Sequence, residues 1–525
     1  GGSAGAAASS NQPVTTAEQS AATKAWWAYE RAAKYTVIKS TEKVPTRDGT
    51  MLGCTLSRPG ESGAAATGQF PGLIVEYTPY ALNADNNNAE AAFFAQRGYN
   101  ALVCTLRGIG QSGGTWQNAA SSQDGRDAYD LVEWLAVQAY SDGRIGQLGE
   151  SYGGGTSNGA AIEQPPHLRA IAPMQSPSDL YNDVIFPGGI ESTQGGTINN
   201  WPPVGQLLSL GAINAQAEYD VGHAHPTYDA FWQDRTIVGR VASIQVPVLA
   251  IGGWVDGYFR SGAIANIEAA PERTWAIYGA WAHLPVVDIG QCTAGACAAD
   301  PLPSGVLLAW FDHWVMELPD PPIPAKPNFV SFECPKGASH GWRELSAWSA
   351  QGADADAFTF ELGSDSTLAL TAKATESMTF HEPGEPTASG AALTFTSAAL
   401  DADHVLLGHG SLDLHAKLSA AEANFYVELL DVDNADKETL VNDGFLKASH
   451  RTSHANPEPV PVGQSIEYHI DVRPQHYRFA AGHRVRVRLS GGAKNVLVPP
   501  AAVDVTLELG DHATLRLPGF ASKAL

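Results

Sequence analysis

The stretch from Arg144 to Ser157, reading RIGQLGESYGGGTS, constrains this chain more than any other. Its first residues form an apolar, strand-like run, and Gly154-Gly155-Thr156-Ser157 can start a closely packed helix. Between them, Gly149 and Gly153 flank Glu150-Ser151-Tyr152 and permit a tight, strained strand-to-helix turn that exposes the serine hydroxyl. Such an elbow belongs in a mostly parallel sheet with helices on both faces, and the neighbouring sequence has that rhythm.

Residues 35–58 alternate in character around the turn Arg47-Asp48-Gly49-Thr50 and read as a β-hairpin. Gly72–Tyr77 is a short apolar strand, Ala89–Arg97 is helical, and Tyr99–Leu106 is a further strand. Asp124–Gln138 is an amphipathic helix whose apolar positions are Ala128, Leu131, Val132, Leu135 and Ala136. Strands are expected again at His167–Ala172, Val246–Gly252 and Thr274–Gly279. Residues 177–245 interrupt this pattern with Trp201, Trp232, several Pro and Gly, and helix-like patches, as a helical cap inserted between two strands would. From about residue 325, short strands alternate with Gly, Asp, Asn and Pro turns, the pattern of an all-β jelly-roll sandwich. The expected organisation is therefore a flexible N-terminal segment (1–25), an α/β domain (26–176 and 246–324), a helical cap (177–245) and a β domain (325–525).

Bulk properties fit this division. The chain has 525 residues, which at roughly 100–200 residues per domain gives two to four domains. Its formal net charge of −23 repels nucleic-acid phosphates and anionic membranes, so neither is expected as a partner. No apolar stretch is long enough to span a bilayer. The N-terminal segment is small and polar, without the basic and apolar regions of an intact signal peptide, and resembles a processed secretory N-terminus or an expression scar. Cys54, Cys104 and Cys334 read as buried thiols. Cys292 and Cys297 flank a small loop and read equally as a disulfide or as two free thiols; the disulfide tips the expectation towards a secreted or periplasmic protein.

A serine hydroxyl becomes a useful nucleophile only with a base to take its proton, a group to orient that base, and donors for the oxyanion. Elbows of this kind use the chain order Ser, then Asp or Glu, then His. Downstream of Ser151, the strand at Val248–Gly252 ends in Gly253-Trp254-Val255-Asp256, and the strand at Thr274–Gly279 ends in Ala280-Trp281-Ala282-His283. Each candidate lies just past a strand's carboxyl end, where open α/β sheets build their sites. Ser151 is thus the expected nucleophile, His283 the base and Asp256 its orienting acid. The Tyr152 N–H is the expected first oxyanion donor. The Tyr80 hydroxyl, in the loop after the Leu73–Glu76 strand, is the candidate second donor, with a packing role as its alternative.

Several segments together resemble the cocaine-esterase-like hydrolases, relatives of X-prolyl dipeptidyl peptidases and α-amino-acid ester hydrolases. They are VPTRDGTMLGCTLSRP, Tyr77-Thr78-Pro79-Tyr80, RGIGQSGG, GESYGG, GGWVDGYF, GAWAH and HYRFAAGHRVRVRLS, spanning roughly residues 38–515. The resemblance implies an α/β-hydrolase domain with an inserted cap, a C-terminal jelly roll, and ester or amide cleavage through an acyl-enzyme without a metal. It also implies the tyrosine hydroxyl of a Pro-Tyr dipeptide as second oxyanion donor, which falls on Tyr80. Thr105 replaces the usual Asp before the Arg-Gly motif, and Ala280 replaces the usual Pro before Trp281; neither change removes a catalytic group.

The expected substrate is a small-molecule ester or amide, and no cofactor is expected. Trp201, Trp254, Tyr258, Phe259 and Trp281 are candidate pocket walls, and Asp183 a candidate ligand for a substrate ammonium, each with packing or capping as the plainer role. Tyr258 and Phe259 stand where amino-ester hydrolases carry carboxylates, which favours an aromatic pocket. His223-Ala224-His225 lacks a third metal ligand nearby, and Asp431-Val432-Asp433-Asn434 departs from a calcium loop. Three functional readings follow: a carboxylic-ester hydrolase first, an amidase, X-prolyl peptidase or amino-ester hydrolase second, and a silent carbohydrate-binding protein last. Oligomeric state is not legible in the sequence, and a homodimer stays open.

Overall fold

The computed structural model describes residues 16–80, 84–192, 215–292, 297–337, 341–346, 348, 358–384, 392–492 and 501–521. A large sheet occupies the first part of the chain. Its strands and short neighbours are, in chain order, β1 (Thr16–Glu18), β2 (Thr36–Pro45), β3 (Met51–Glu61), β4 (Ala64–Ala65), β5 (Phe70–Thr78), β6 (Asn100–Thr105), β7 (Ser141–Glu150), β8 (Leu168–Met174), β9 (Val248–Gly253) and β10 (Thr274–Gly279). They continue with β11 (Val287–Asp288), β12 (Leu302–Pro303), β13 (Phe329–Phe332) and β14 (Trp342–Leu345).

The spatial order is β1-β14-β13-β10-β9-β8-β7-β5-β6-β3-β2, with β4 on β3 and the β11–β12 pair apart. From β6 to β13 every pairing is parallel. These strands are buried apolar runs, as a sheet covered on both faces requires. The hairpin forms as the sequence implies: Pro45 pairs with Met51, and Gly49 takes the positive φ of the turn. Arg107 clamps that turn inward, its guanidinium reaching Asp127 at 2.6 Å and Asp48 at 2.9 Å.

Helices α1 (Ala21–Trp27), α2 (Ala84–Ala95), α3 (Ser122–Ala136) and α4 (Tyr152–Glu163) pack against this sheet with the later helices Gly262–Ala269 and Gly305–Trp314. Helix α3 buries Ala128, Leu131, Val132, Leu135 and Ala136. The segment between β8 and β9 contains short helical turns at Tyr181–Ile185, Pro187–Gly189, Ala215–His223, Ala230–Arg235 and Val241–Ser243.

Three expectations need correction. Residues 16–25 are not a loose tail. β1 pairs with β14, the Ser20 hydroxyl caps α1 by accepting the Thr23 N–H, and Glu344 accepts hydrogen bonds from Ser20. This seats Trp26 against Trp310 and Trp27 against Trp342. The sheet also does not end at residue 324, because β13 and β14 extend it. Finally, Cys54 and Cys104 are not thiols. They face each other on β3 and β6, with Cα atoms 4.1 Å apart, and form a disulfide. Cys292 and Cys297 form a second, and Cys334 is a buried thiol.

The C-terminal part is all-β: β15 (Phe358–Leu362), β16 (Thr367–Ala369), β17 (Met378–Glu382), β18 (Leu393–Ser397), β19 (His404–Leu418), β20 (Asn424–Val432), β21 (Glu438–Lys447), β22 (Ile466–Phe479), β23 (Arg484–Ser490), β24 (Val503–Leu517) and β25 (Gly519–Ala521). β24 pairs with β15 on one side and β19 on the other, so the sheet closes into a barrel. Closure removes exposed edges. The barrel docks on the first sheet: Arg478 forms an ion pair with Glu333, and His476 bonds the Ser331 hydroxyl at 2.8 Å.

Candidate active site

The elbow has the backbone its glycines foretold. Ser151 sits at φ 56° and ψ −117°, a region L-residues rarely adopt, between β7 and α4. The turn is tight enough that a Cβ on Gly149 would lie 2.5 Å from the carbonyl carbon of Gly153. The Ser151 N–H donates to the Met174 carbonyl at 2.9 Å, which ties the turn to β8.

His283 Nε2 lies 2.9 Å from Ser151 Oγ, and His283 Nδ1 lies 2.9 Å from Asp256 Oδ2. The loops that bring these residues together are bound to each other. Val255 N–H donates to the Trp281 carbonyl at 3.2 Å, and the Gln175 side chain donates to the Ala282 carbonyl at 2.6 Å. Gly253 makes this approach possible, since a Cβ there would sit 2.4 Å from the Trp281 oxygen. Asp256 is fully buried, and Asp256 Oδ1 accepts the N–H groups of Tyr258 at 2.7 Å and Phe259 at 3.0 Å. Burial works to raise its carboxyl, but His283 and these two amides outweigh burial and hold it below the usual range. The arrangement can accept a proton from Ser151 onto His283 and stabilise the resulting imidazolium.

Tyr152 is the first residue of α4, where N–H groups have no partner within the helix. Its own hydroxyl is occupied, donating to Asp124 at 2.6 Å and accepting the Ala120 N–H at 2.7 Å. The Tyr80 ring packs edge-on against Tyr152 and its hydroxyl lies close to Ser151; burial above all pushes the phenol up to about 12, so it stays protonated. Both expected oxyanion groups therefore flank the serine.

The aromatic candidates divide. Tyr258 and Phe259 stand edge-on to the His283 ring, with centroids 5.0 and 5.4 Å away. Trp254 and Trp281 are instead buried in the core. Trp254 is fully buried, stacks on Tyr278 and donates to the Ser331 hydroxyl. Trp281 packs on Trp342 and donates to the Asp300 carbonyl. Both follow a strand end by one or two residues, and the turn there sends the indole back under the sheet. Trp201 lies outside the described residues.

Asp183 lines a cleft of about 530 Å³ between the cap segment and the barrel, with Asn182, Ser261, His450, His454 and Arg473. Its carboxylate accepts the Ser178 hydroxyl and the Asp179 N–H, and burial together with Asp179 raises it to about 7. The four cleft histidines, His409, His450, His454 and His469, all come from the C-terminal all-β part, beyond the reach of any local motif. Of the other histidines singled out in the sequence, His223 bonds the Ser192 carbonyl and His225 bonds Asp229.

Two family models match the chain: X-Pro dipeptidyl-peptidase (S15 family) over residues 48–285, and the X-Pro dipeptidyl-peptidase C-terminal non-catalytic domain over residues 328–517. The chain is 25% identical over 539 residues to the cocaine esterase of Rhodococcus sp. (strain MB1 Bresler), covering 86% of this chain and 90% of that one. Its fold is similar to that of an α-amino acid ester hydrolase, with a TM-score of 0.75 at 18% identity, covering 94% of this chain and 98% of that one. It is also similar to a CocE/NonD family hydrolase from Staphylococcus aureus, with a TM-score of 0.73 at 19% identity over 92% and 94% of the two chains.

Proposed function

Because this chain belongs to the cocaine-esterase-like and X-Pro dipeptidyl-peptidase (S15) family of α/β-hydrolases, we propose that it cleaves carboxylic esters of small acyl groups through an acyl-enzyme on Ser151. The observation that carries this reading is the continuous relay Asp256–His283–Ser151, each link 2.9 Å long.

The steps follow from that geometry. Ser151 Oγ attacks the ester carbonyl while His283 Nε2 takes its proton, and the carbonyl oxygen becomes an oxyanion held by the Tyr152 N–H and the Tyr80 hydroxyl. His283 then protonates the departing alcohol, leaving Ser151 acylated. Water attacks the acyl-enzyme with His283 again as base, and the carboxylic acid leaves. Asp256 stays ionised throughout and stabilises the imidazolium. The half-buried Phe259 ring beside His283 supplies an apolar wall for the acyl or alcohol group, with the buried Tyr258 packed against it.

Ser151→Ala should lower hydrolysis of a p-nitrophenyl ester by at least about 10⁴-fold and abolish labelling by a fluorophosphonate probe, with the fold intact. Ester turnover that survives this substitution would overturn the assignment. The S15 match supports a second reading, cleavage after X-Pro. An X-Pro anilide turned over while p-nitrophenyl esters are not would favour it.

A further inference from the structure

Behind the elbow lie three carboxyl side chains from three different elements: Glu76 at the end of β5, Glu90 on α2 and Glu150 at the end of β7. Glu76 is built into the turn. Its Oε1 accepts the Glu150 N–H at 2.6 Å, directly before the serine. Its Oε2 fills the notch over Gly153, so that a Cβ on that glycine would lie 1.9 Å away. Glu76 also holds φ at 65°, unusual for a non-glycine residue in a buried strand. Strain of this kind persists only where the surroundings enforce it, and it gathers at functional sites.

Among the described residues, no lysine or arginine pairs with any of the three. Glu90 and Glu150 both lie within electrostatic reach of Glu76, and Asp256 lies within reach of Glu150. Glu90 Oε1 has the Gln291 amide at 3.4 Å, while its Oε2 is buried without a partner. The other titratable groups at this place are the Tyr80 phenol and, across Ser151, His283. A buried group of carboxyls with no cation cannot ionise in full. Burial and mutual repulsion hold Glu76 and Glu150 well above the usual range, and burial holds Glu90 at about 7.

We propose that Glu76 is a positioning residue for Ser151, and that Glu76 and Glu90 work as a buried acid pair carrying one negative charge between them. Glu76 accepts the Glu150 N–H and so fixes the elbow, most strongly when the shared charge rests on it. A second charge adds repulsion beneath the turn and places another anion beside the forming oxyanion. This rests on Ser151 being the nucleophile.

The test compares wild type, Glu76→Gln and Glu90→Gln with a p-nitrophenyl ester across pH 6–10, after the wild type has been shown to label with a fluorophosphonate. Glu76→Gln should lower kcat by about 10- to 100-fold with KM within about threefold. Glu90→Gln should move the alkaline fall of kcat/KM up by a pH unit or more, because the second charge is gone. Where Glu76→Gln does not fold, Glu90→Gln carries the test alone. An unchanged alkaline limb in Glu90→Gln, or a folded Glu76→Gln with wild-type kcat, would overturn the proposal. Failure of the wild type to label would overturn the assignment of Ser151 itself, which separates the two outcomes.

Discussion

Asp256, Glu76 and Glu90 are buried carboxyls around the same serine, with Glu150 half-buried beside it, yet their environments push them in opposite directions. Asp256 faces a histidine and two backbone amides, and is held ionised below the usual carboxylate range. The glutamates face mainly each other and are held towards neutrality. Burial is common to both, so the difference lies in the partners: charge and N–H donors decide whether a buried carboxyl serves as an anion or as a reservoir of protons. On the proposed mechanism, one side of the serine stabilises positive charge on an imidazole, and the other keeps negative charge scarce near the oxyanion.

The comparison breaks most visibly at Asp256. Asp256→Asn should lower kcat about 10³- to 10⁴-fold, since the amide favours the wrong imidazole tautomer and cannot stabilise its cation. Steady-state kinetics check this, and a loss no larger than that of Glu76→Gln would erase the distinction between the two groups. Tyr80→Phe probes the oxyanion side with a smaller effect. A 10- to 100-fold fall in kcat with little change in KM is expected, roughly the cost of one lost donor. If KM changes instead, the phenol contacts substrate in the ground state.

The smallest effect is on stability. Folding raises Glu90 from an ordinary 4.5 to about 7, so the unfolded chain loses this proton first as pH rises. The fold therefore loses stability between pH 4.5 and 7 through this group, and the penalty is constant above. Glu90→Gln escapes it, and its Tm should gain on the wild type progressively across that window, by the equivalent of about 1–3 kcal/mol. Thermal melts at pH 5 and pH 8 check the sign, and an equal Tm difference at both would show that Glu90 does not titrate as described.

The elbow was legible because a strained turn needs glycines at fixed positions, and Gly149 and Gly153 announce it locally. Asp256 and His283 were legible because each ends a strand in the required chain order. The indoles of Trp254 and Trp281 were misread for the same reason: strand ends mark the site in sequence, but which way a side chain turns from a strand end depends on what fills the space beneath. Cys54 and Cys104 became a disulfide only because β3 lies beside β6 in a register that sets them opposite. The sheet strands contributed by β1, β13 and β14 and the histidines that the barrel lends to the cleft have the same origin, in contacts between distant segments. Local sequence determined the elbow that presents the candidate nucleophile, the order of its partners and the two kinds of sheet, because propensity and backbone strain act over a few residues. Tertiary structure alone decided which carboxyls are charged, which aromatics face the site and what lies behind Ser151, because those depend on burial and on neighbours that meet only in the fold.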